Sequence, residues 1–286
     1  MKAPVTMNQK DFAYLAELLR RRSGLLLTQQ KAHLVEGRLA PVTRRFGFKD
    51  SAALMRELRH DHEALAIAVI EAMTTNDSAF LRDRKTFEEF RDIVLPELVV
   101  HRAADKRLRI WCAACAAGQE PYSIAMILDD GKLLAQGWTI DLIATDLNSQ
   151  MIARAEEGLY SQFEVQRGLP IRRLVRNFTQ EGSNWRISEN LRCMVSFRTF
   201  NLIDSFGWLM EMDVVFCRNV LMYFDQKTRV SVIDRIADML APDGALLVGP
   251  AESISGLTGG FVQTDNAPGL YYRFKHLPLL QRRAAG

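Results

Sequence analysis

The sequence of 286 residues lacks the features that mark several special classes of protein. It has no apolar run approaching the ~20 residues that a membrane-spanning helix needs, so membrane insertion is not expected. The first residues, MKAPVTMNQKDF, have no apolar core of the kind that a secretory signal requires, and we expect a cytoplasmic protein. With 48% hydrophobic and 25% charged residues, the composition is that of an ordinary folded protein.

Cysteine is also scarce: the chain has four, Cys112, Cys115, Cys193 and Cys217. Cys112 and Cys115 form a C-x-x-C beside a βαβ pattern, which is one form of redox pair. Both, however, lie in a loop where small side chains serve another purpose. The sequence has no second C-x-x-C and no paired H-x-x-x-H, so we expect no metal site.

Charge is distributed unevenly along the chain. Residues 1–60 carry twelve Lys and Arg against five Asp and Glu, so this segment is net +7 and the remainder is net −4. The same region has helical spacing of apolar residues, with Gly24 as a helix stop, Thr28 as a helix cap and Pro41 expected to kink or end the second helix. Residues 1–75 are therefore predicted to form a small all-α domain with a basic surface that suits an acidic partner, although a merely solvated helix surface has the same charge pattern.

From residue 76 to 286, strands alternate with helices, which is typical of parallel βαβ units. The ending FVQTDNAPGLYYRF predicts two antiparallel strands with a turn at Asn266–Gly269. We therefore expect an α/β fold, a doubly wound sheet like that of class I methyltransferases with a C-terminal antiparallel hairpin. A small inserted β-subdomain is expected around 160–200, where WRIS and RCMVSFR would pair. The strands predicted for the main sheet, with helices between them, are 107–112, 139–145, 194–199, 213–217 and 245–249.

The segment LRIWCAACAAGQEPYSIAMIL, residues 108–128, is the most informative one. It predicts a strand, a loop of small residues and a helix whose first turn contains Pro121. Such a turn lets the backbone approach a nucleotide-like ligand closely. A second strand, TIDLIATD, ends at Asp146, where an acid typically accepts hydrogen bonds from ribose hydroxyls. Alternatively, Asp146 only caps the helix that follows.

The ribose site alone suits NAD and S-adenosylmethionine equally well. The loop has one glycine and no G-x-G-x-x-G, which argues against a pyrophosphate because that group needs bare backbone beneath it. S-adenosylmethionine has no phosphate, so alanines are tolerated there. The sequence therefore favours a methyl donor as the cofactor.

Three further segments would follow strands or precede the sheet: TTNDSAFLRD at 74–83, FNLID at 200–204 and VVFCRNVLMYFD at 214–225. Together with the EPYS loop, the TD of the second strand and APDGALLVG, they closely resemble the glutamate O-methyltransferases that act on bacterial chemotaxis receptors. The resemblance extends from about Phe12 to Phe274. It implies methyl transfer from S-adenosylmethionine to receptor glutamates, giving methyl esters and S-adenosylhomocysteine in sensory adaptation.

Carried over position by position, the resemblance implies a set of site residues. Arg82 and Tyr223 would take part in catalysis. Glu120 would pair with the ammonium group of the methionine end, Asp146 would bind the ribose, and Asn201 and Leu202 would frame the adenine. The cofactor-binding residues implied in this way are Asn76, Ser78, Arg82, Ala114, Glu120, Asp146, Asn201, Leu202, Arg218 and Asn219.

The resemblance also implies a partner, the cytoplasmic helical bundle of methyl-accepting receptors. Arg38 and Arg44 are the candidate docking residues, with Arg38 the better match because Pro41 is expected to interrupt the helix. Residues 178–195 look shorter than in members whose extra hairpin binds a receptor-tail peptide, so such binding is not expected.

Other hypotheses about the function are also compatible with the sequence. A methyltransferase acting on nucleic acid would explain the basic N-terminal region, but the segment after the fourth strand reads CRNVLMYF instead of the N/D-P-P-Y/F typical of amino-group methylation. A methyltransferase of another acidic protein, or an adaptor that binds the cofactor without catalysis, remains compatible with the sequence.

Overall fold

The computed structural model describes residues 7–264 and 267–273, except the side chains of Pro268 and Arg273. The chain forms two compact units. The first comprises residues 1–75 and 223–228, and the second comprises residues 76–222 and 229–286. Within the described ranges, no helix is both long and apolar enough to cross a membrane.

The first unit is built from four helices whose apolar faces share a core. Leu15, Leu19 and Leu39 are fully buried in it, as the helical spacing predicts. Asn8 caps the first helix, and Gly24 ends it with φ +73°. The helices are α1 (Gln9–Ser23), α2 (Ala32–Arg45), α3 (Ser51–Glu57) and α4 (Glu63–Met73).

Two expectations about α2 are wrong. Thr28 makes no capping hydrogen bond, because a short 3-10 turn, Gln29–Lys31, precedes the helix. Pro41 lies inside α2, which continues to Arg45. Arg38 and Arg44 therefore lie on one uninterrupted helix.

The second unit contains a seven-stranded sheet and a three-stranded one. The strands are β1 (Arg107–Ala113), β2 (Thr139–Asp146), β3 (Leu159–Ser161), β4 (Phe178–Glu181), β5 (Asn184–Ile187), β6 (Val195–Thr199), β7 (Met212–Cys217), β8 (Leu240–Val248), β9 (Phe261–Thr264) and β10 (Ala267–Arg273). The large sheet has the order β6-β2-β1-β7-β8-β10-β9. Its first five strands are parallel, and β10 is antiparallel to β8 and β9. The predicted doubly wound sheet with an antiparallel ending is confirmed.

Helices cover much of the large sheet. The helices of the second unit are α5 (Arg84–Glu89), α6 (Leu95–His101), α7 (Gln119–Asp130), α8 (Ser149–Glu157), α9 (Gln162–Gln166), α10 (Ile171–Asn177), α11 (Glu189–Cys193) and α12 (Gln226–Met239). A π-helical turn, Phe90–Val94, joins α5 to α6. The prediction of a helix between every pair of strands is wrong at one place, because residues 200–211 between β6 and β7 form only turns.

The predicted pairing of the small hairpin is also wrong. The WRIS segment lies in β5, which pairs with β4 and β3, whereas RCMVSFR supplies the end of α11 and β6 of the large sheet. Val195 is buried against the large sheet, which fixes β6 there.

The C-terminal pair of strands is present, but its turn differs from the prediction. Ala267 and Gly269 lie within β10 and not in a turn. Asn266, where the turn was predicted to begin, lies outside the described residues.

Candidate active site

The carboxyl ends of four neighbouring parallel strands carry most of the predicted site residues. β1, β2, β6 and β7 end at Ala113, Asp146, Thr199 and Cys217. Parallel neighbours present these ends at one edge of the sheet, which is where open α/β sheets bind ligands. The loops are tied together there: the Cys115 amide donates to the Thr145 carbonyl at 2.9 Å.

The loop after β1 turns sharply on small residues. Ala114, Ala116 and Gly118 have φ values of +59°, +47° and +90°. This left-handed conformation is costly for residues with a Cβ, so the surrounding structure must hold it. The Tyr160 hydroxyl donates to the Ala117 carbonyl at 2.7 Å and supplies part of that support.

Asp146 also supports the conformation of this loop. Its carboxylate, 8% exposed, accepts the Ala116 amide and the Asn148 amide, each at 2.8 Å. Asn148 caps α8, as predicted. Asp146 therefore fixes the small-residue loop through its hydrogen bond to the Ala116 amide. Its predicted role in binding the ribose stays a prediction.

Glu120, in the first turn of α7, lies in a buried ionic network. Its carboxylate pairs with the Arg218 guanidinium, and the Cys112 thiol donates to Oε1 at 3.2 Å. Burial raises the pKa of the Cys112 and Cys115 thiols, so neither is expected to be a reactive thiolate. The four cysteines are free.

Arg218 links this network to the segment that carries Arg82. Its side chain has no exposed surface. Nη2 donates at 2.9 Å to both the Asp83 carboxylate and the Arg82 carbonyl. Arg218 was predicted to bind the cofactor, and that role stays a prediction; two nitrogens of its guanidinium are held by protein groups. We interpret Arg218 as the residue that positions the Arg82 segment against the start of α7.

Arg82 itself is one-third exposed and is held at its own segment. Its guanidinium donates to the Asp77 carbonyl at 2.6 Å and lies 3.7 Å from the Asp77 carboxylate. A hydrogen bond from Arg167 to that carboxylate lowers the pKa of Asp77. The Arg82 side chain therefore lies partly exposed beside Asp77.

The remaining predicted residues of the second unit lie in two segments. Asn76 and Ser78 are half-buried in the segment before α5. After β6, Asn201 accepts the Ile203 amide at 3.3 Å, and Leu202 is buried. Their roles in cofactor binding stay predictions.

Asn219 has a left-handed backbone, with φ +56°, held by a residue that the sequence analysis did not assign. The buried Glu252 carboxylate accepts the amides of Asn219 at 2.6 Å, Gly249 at 3.0 Å and Met222 at 3.2 Å. Asp83, which pairs with Arg218, was missed as well. Asp83 ends the segment TTNDSAFLRD, so an acid at the end of a predicted motif was the available signal, whereas Glu252 lies outside the predicted motifs.

Three predicted residues belong to the first unit. Tyr223 is half-buried, and the Lys31 ammonium lies 5.2 Å from its ring centre. Arg38 donates to the Met73 carbonyl at 2.5 Å, the Thr74 carbonyl at 3.1 Å and the Thr75 hydroxyl at 3.0 Å, so it supports the segment after α4. Arg44 is fully exposed on α2 and is the better candidate for docking.

Comparison with known families identifies the family of the chain. The model of the CheR methyltransferase all-alpha domain matches residues 10–74, and that of the CheR methyltransferase SAM binding domain matches residues 76–269. The chain belongs to the CheR methyltransferase family. Its cofactor is S-adenosylmethionine, as the small-residue loop predicted.

Relatives of the family match almost end to end. The chain is 36% identical over 272 residues to chemotaxis protein methyltransferase 1 of Pseudomonas aeruginosa, which covers 93% of this chain and 98% of that protein. It is 35% identical over 270 residues to chemotaxis protein methyltransferase Cher2 of Pseudomonas putida, with coverage of 93% and 98%. The chemotaxis protein methyltransferase of Vibrio parahaemolyticus is 34% identical over 278 residues, with coverage of 95% and 99%.

The charges of the site fit this cofactor. Glu120, Asp83 and Arg218 carry two negative charges and one positive charge, so the network is formally net −1. S-adenosylmethionine carries a sulfonium and an ammonium against one carboxylate. Glu120 and Arg218 are buried whereas Asp83 is exposed, and a net charge of opposite sign would favour such a ligand, most strongly at the groups away from water.

Proposed function

We propose that this chain methylates glutamate side chains of methyl-accepting chemotaxis receptors in the cytoplasm. The observation that carries the proposal is the match to chemotaxis protein methyltransferases over 93% of the chain. The net charge of +7 in residues 1–60 supports an acidic acceptor.

The reaction requires little of the protein other than the positioning of the methyl donor and the acceptor. S-adenosylmethionine supplies an electrophilic methyl group, and attack by a carboxylate oxygen gives the methyl ester and S-adenosylhomocysteine. A glutamate with an ordinary pKa of about 4.3 is ionised at pH 7, so no general base is required. Exact placement of the reacting groups can supply up to ~7–11 kcal/mol of the barrier reduction.

Arg82 is the residue suited to orient the acceptor. Its side chain is partly exposed, and its backbone is tied through Arg218 to the start of α7. A charge-assisted hydrogen bond from its guanidinium would align the attacking carboxylate. Tyr223 would position the donor or the acceptor.

The class of acceptor can be tested directly. Purified protein is incubated with S-adenosylmethionine labelled in the methyl group and with receptor-bearing membranes or RNA. We expect label in the receptor and none in RNA. Label in RNA would favour the nucleic-acid reading, and binding of the cofactor with no transfer to either would favour an adaptor.

Docking should depend on the exposed basic face of α2. Replacing Arg44 with glutamate is expected to lower receptor methylation severalfold while the affinity for S-adenosylmethionine, measured by calorimetry, stays unchanged. The attraction should weaken with salt, because the Debye length falls from about 30 Å at 0.01 M to about 8 Å at 0.15 M.

Arg172→Glu is the matched control, since Arg172 is an exposed helical arginine of the second unit. Equal loss in both variants would show a general charge effect and contradict docking by α2. Arg38→Glu is less informative, because Arg38 also holds the backbone of residues 73–75.

We expect the receptor-tail peptide to bind weakly or not at all.

A further inference from the structure

The missing helix between β6 and β7 leaves part of the large sheet open. Residues 200–211 pass from one strand to the other in turns, whereas doubly wound sheets usually have helices on both faces. A groove of about 430 Å³ lies beside this connection. It is lined by Arg107, Arg109, Ile140, Asp141, Leu142, Ile143, Cys193, Met194, Ser196, Phe197, Arg198, Trp208, Met210 and Met212. None of the predicted cofactor residues lines it.

The groove exposes apolar side chains of a kind that is usually buried. Met210 exposes 60% of its surface, and Trp208, Met194 and Ile143 are half-buried. Flexible methionines and a tryptophan are enriched at protein interfaces, because they adapt to a partner and bury a large area. We call these four residues, together with Arg109 and Arg198, the β6 groove.

The charges of the lining are unbalanced. Arg107, Arg109 and Arg198 face a single acid, Asp141, which lies 2.7 Å from Arg107 and 3.7 Å from Arg109. The Arg109 side chain is one-quarter exposed, and its Nε lies 3.7 Å from the Asp141 carboxylate, too far for a hydrogen bond. Asp141 is therefore shared by two arginines, and Arg109 has only a long ion pair to it.

Arg198 adds to the surplus of positive charge at the rim of the groove. Its guanidinium stacks 4.4 Å from the Trp208 ring centre, and within the described residues no carboxylate forms an ion pair with it. A cation held on an aromatic ring at a groove entrance is ready to meet an anionic group.

We propose that the β6 groove binds an acidic amphipathic segment of a partner protein. The apolar side chains of the segment would pack on Trp208 and Met210, and its carboxylates would pair with Arg198 and Arg109. Charge complementarity selects this occupant. A second copy of the chain, placed symmetrically on the same groove, would bring the same arginines together, and such like-charge contacts disfavour association.

Binding can be measured with the full chain and a defined probe, the fluorescently labelled peptide acetyl-EALEELLAEA-amide. We expect saturable binding by fluorescence anisotropy that weakens as salt is raised. Arg198→Glu and Met210→Asp should each weaken it by about tenfold or more, the first through charge repulsion and the second through loss of apolar contact. A peptide with lysine in place of each glutamate should not bind.

Three controls make the result decisive. Arg172→Glu changes charge by the same amount outside the groove and should leave peptide binding unchanged. Thermal unfolding and affinity for S-adenosylmethionine should be normal in all three variants, which separates the groove from the methyl-transfer site. Unchanged peptide binding by the Arg198→Glu variant, or no saturable binding by the unmodified chain, would overturn the proposal. Concentration-dependent dimers in sedimentation that Met210→Asp abolishes would assign the groove to a second copy instead.

Discussion

Replacing Arg218 with methionine is expected to lower the free energy of unfolding by about 3–5 kcal/mol, the usual cost of removing one partner of a buried ion pair. The Arg218 side chain has no exposed surface and holds the carboxylates of Glu120 and Asp83. Without it, the Glu120 carboxylate stays buried without its cation. Urea unfolding measures the stability, and calorimetry should show weakened binding of S-adenosylmethionine.

The double variant Arg218→Met/Glu120→Gln tests the cause. It should recover part of the lost stability, because it removes the uncompensated charge. Arg84→Met provides the control: Arg84 is 81% exposed and pairs with Glu88, and removing such a surface pair should cost less than about 1 kcal/mol. Similar losses for Arg84 and Arg218 would contradict the interpretation of Arg218 as the centre of the site.

Replacing Gly118 with alanine is expected to have the largest effect on stability after the replacement of Arg218. The residue has φ +90°, and a Cβ there would lie 2.9 Å from the Ala155 Cβ and 3.1 Å from the Tyr160 hydroxyl. Crowding of this kind typically costs about 1–3 kcal/mol. Because the Tyr160 hydroxyl holds the Ala117 carbonyl, its displacement should also loosen the small-residue loop. Calorimetry should show affinity for S-adenosylmethionine reduced by about tenfold or more, as expected for one lost buried hydrogen bond.

Gly137→Ala separates backbone strain from crowding. Gly137 has φ +83°, yet nothing lies within 4 Å of the Cβ position. The variant should cost about 1–2 kcal/mol through its left-handed backbone and leave cofactor affinity unchanged. Unchanged affinity in Gly118→Ala would mean that the loop after β1 does not need its present shape.

The sequence predicted the features that depend on local pattern. Buried runs such as Ile110–Ala113 and Val214–Cys217 became neighbouring parallel strands, and Asn148 caps α8 because an N-cap is decided within a few residues. The scarcity of glycine after β1 identified the cofactor class, which the family match confirms.

Contacts between distant segments could not be predicted in this way. Arg218 meets Asp83 across 135 residues, and Glu252 meets Asn219 across 33. A single sequence shows no such pairing, so the ion pair of Arg218 with Asp83 was not predicted and Glu252 received no role. Pro41 does not end α2, which continues to Arg45, so the local preference of proline did not decide where this helix stops.

The chemical linkage of the transferred methyl group tests the central claim most directly. Receptor methylated by this protein with labelled S-adenosylmethionine is treated with mild base, and volatile methanol is collected. A glutamate methyl ester should release its label as methanol, whereas methylated lysine, arginine or a nucleobase would retain it. Release of most of the label is the predicted result, and label that survives base would contradict carboxyl methylation.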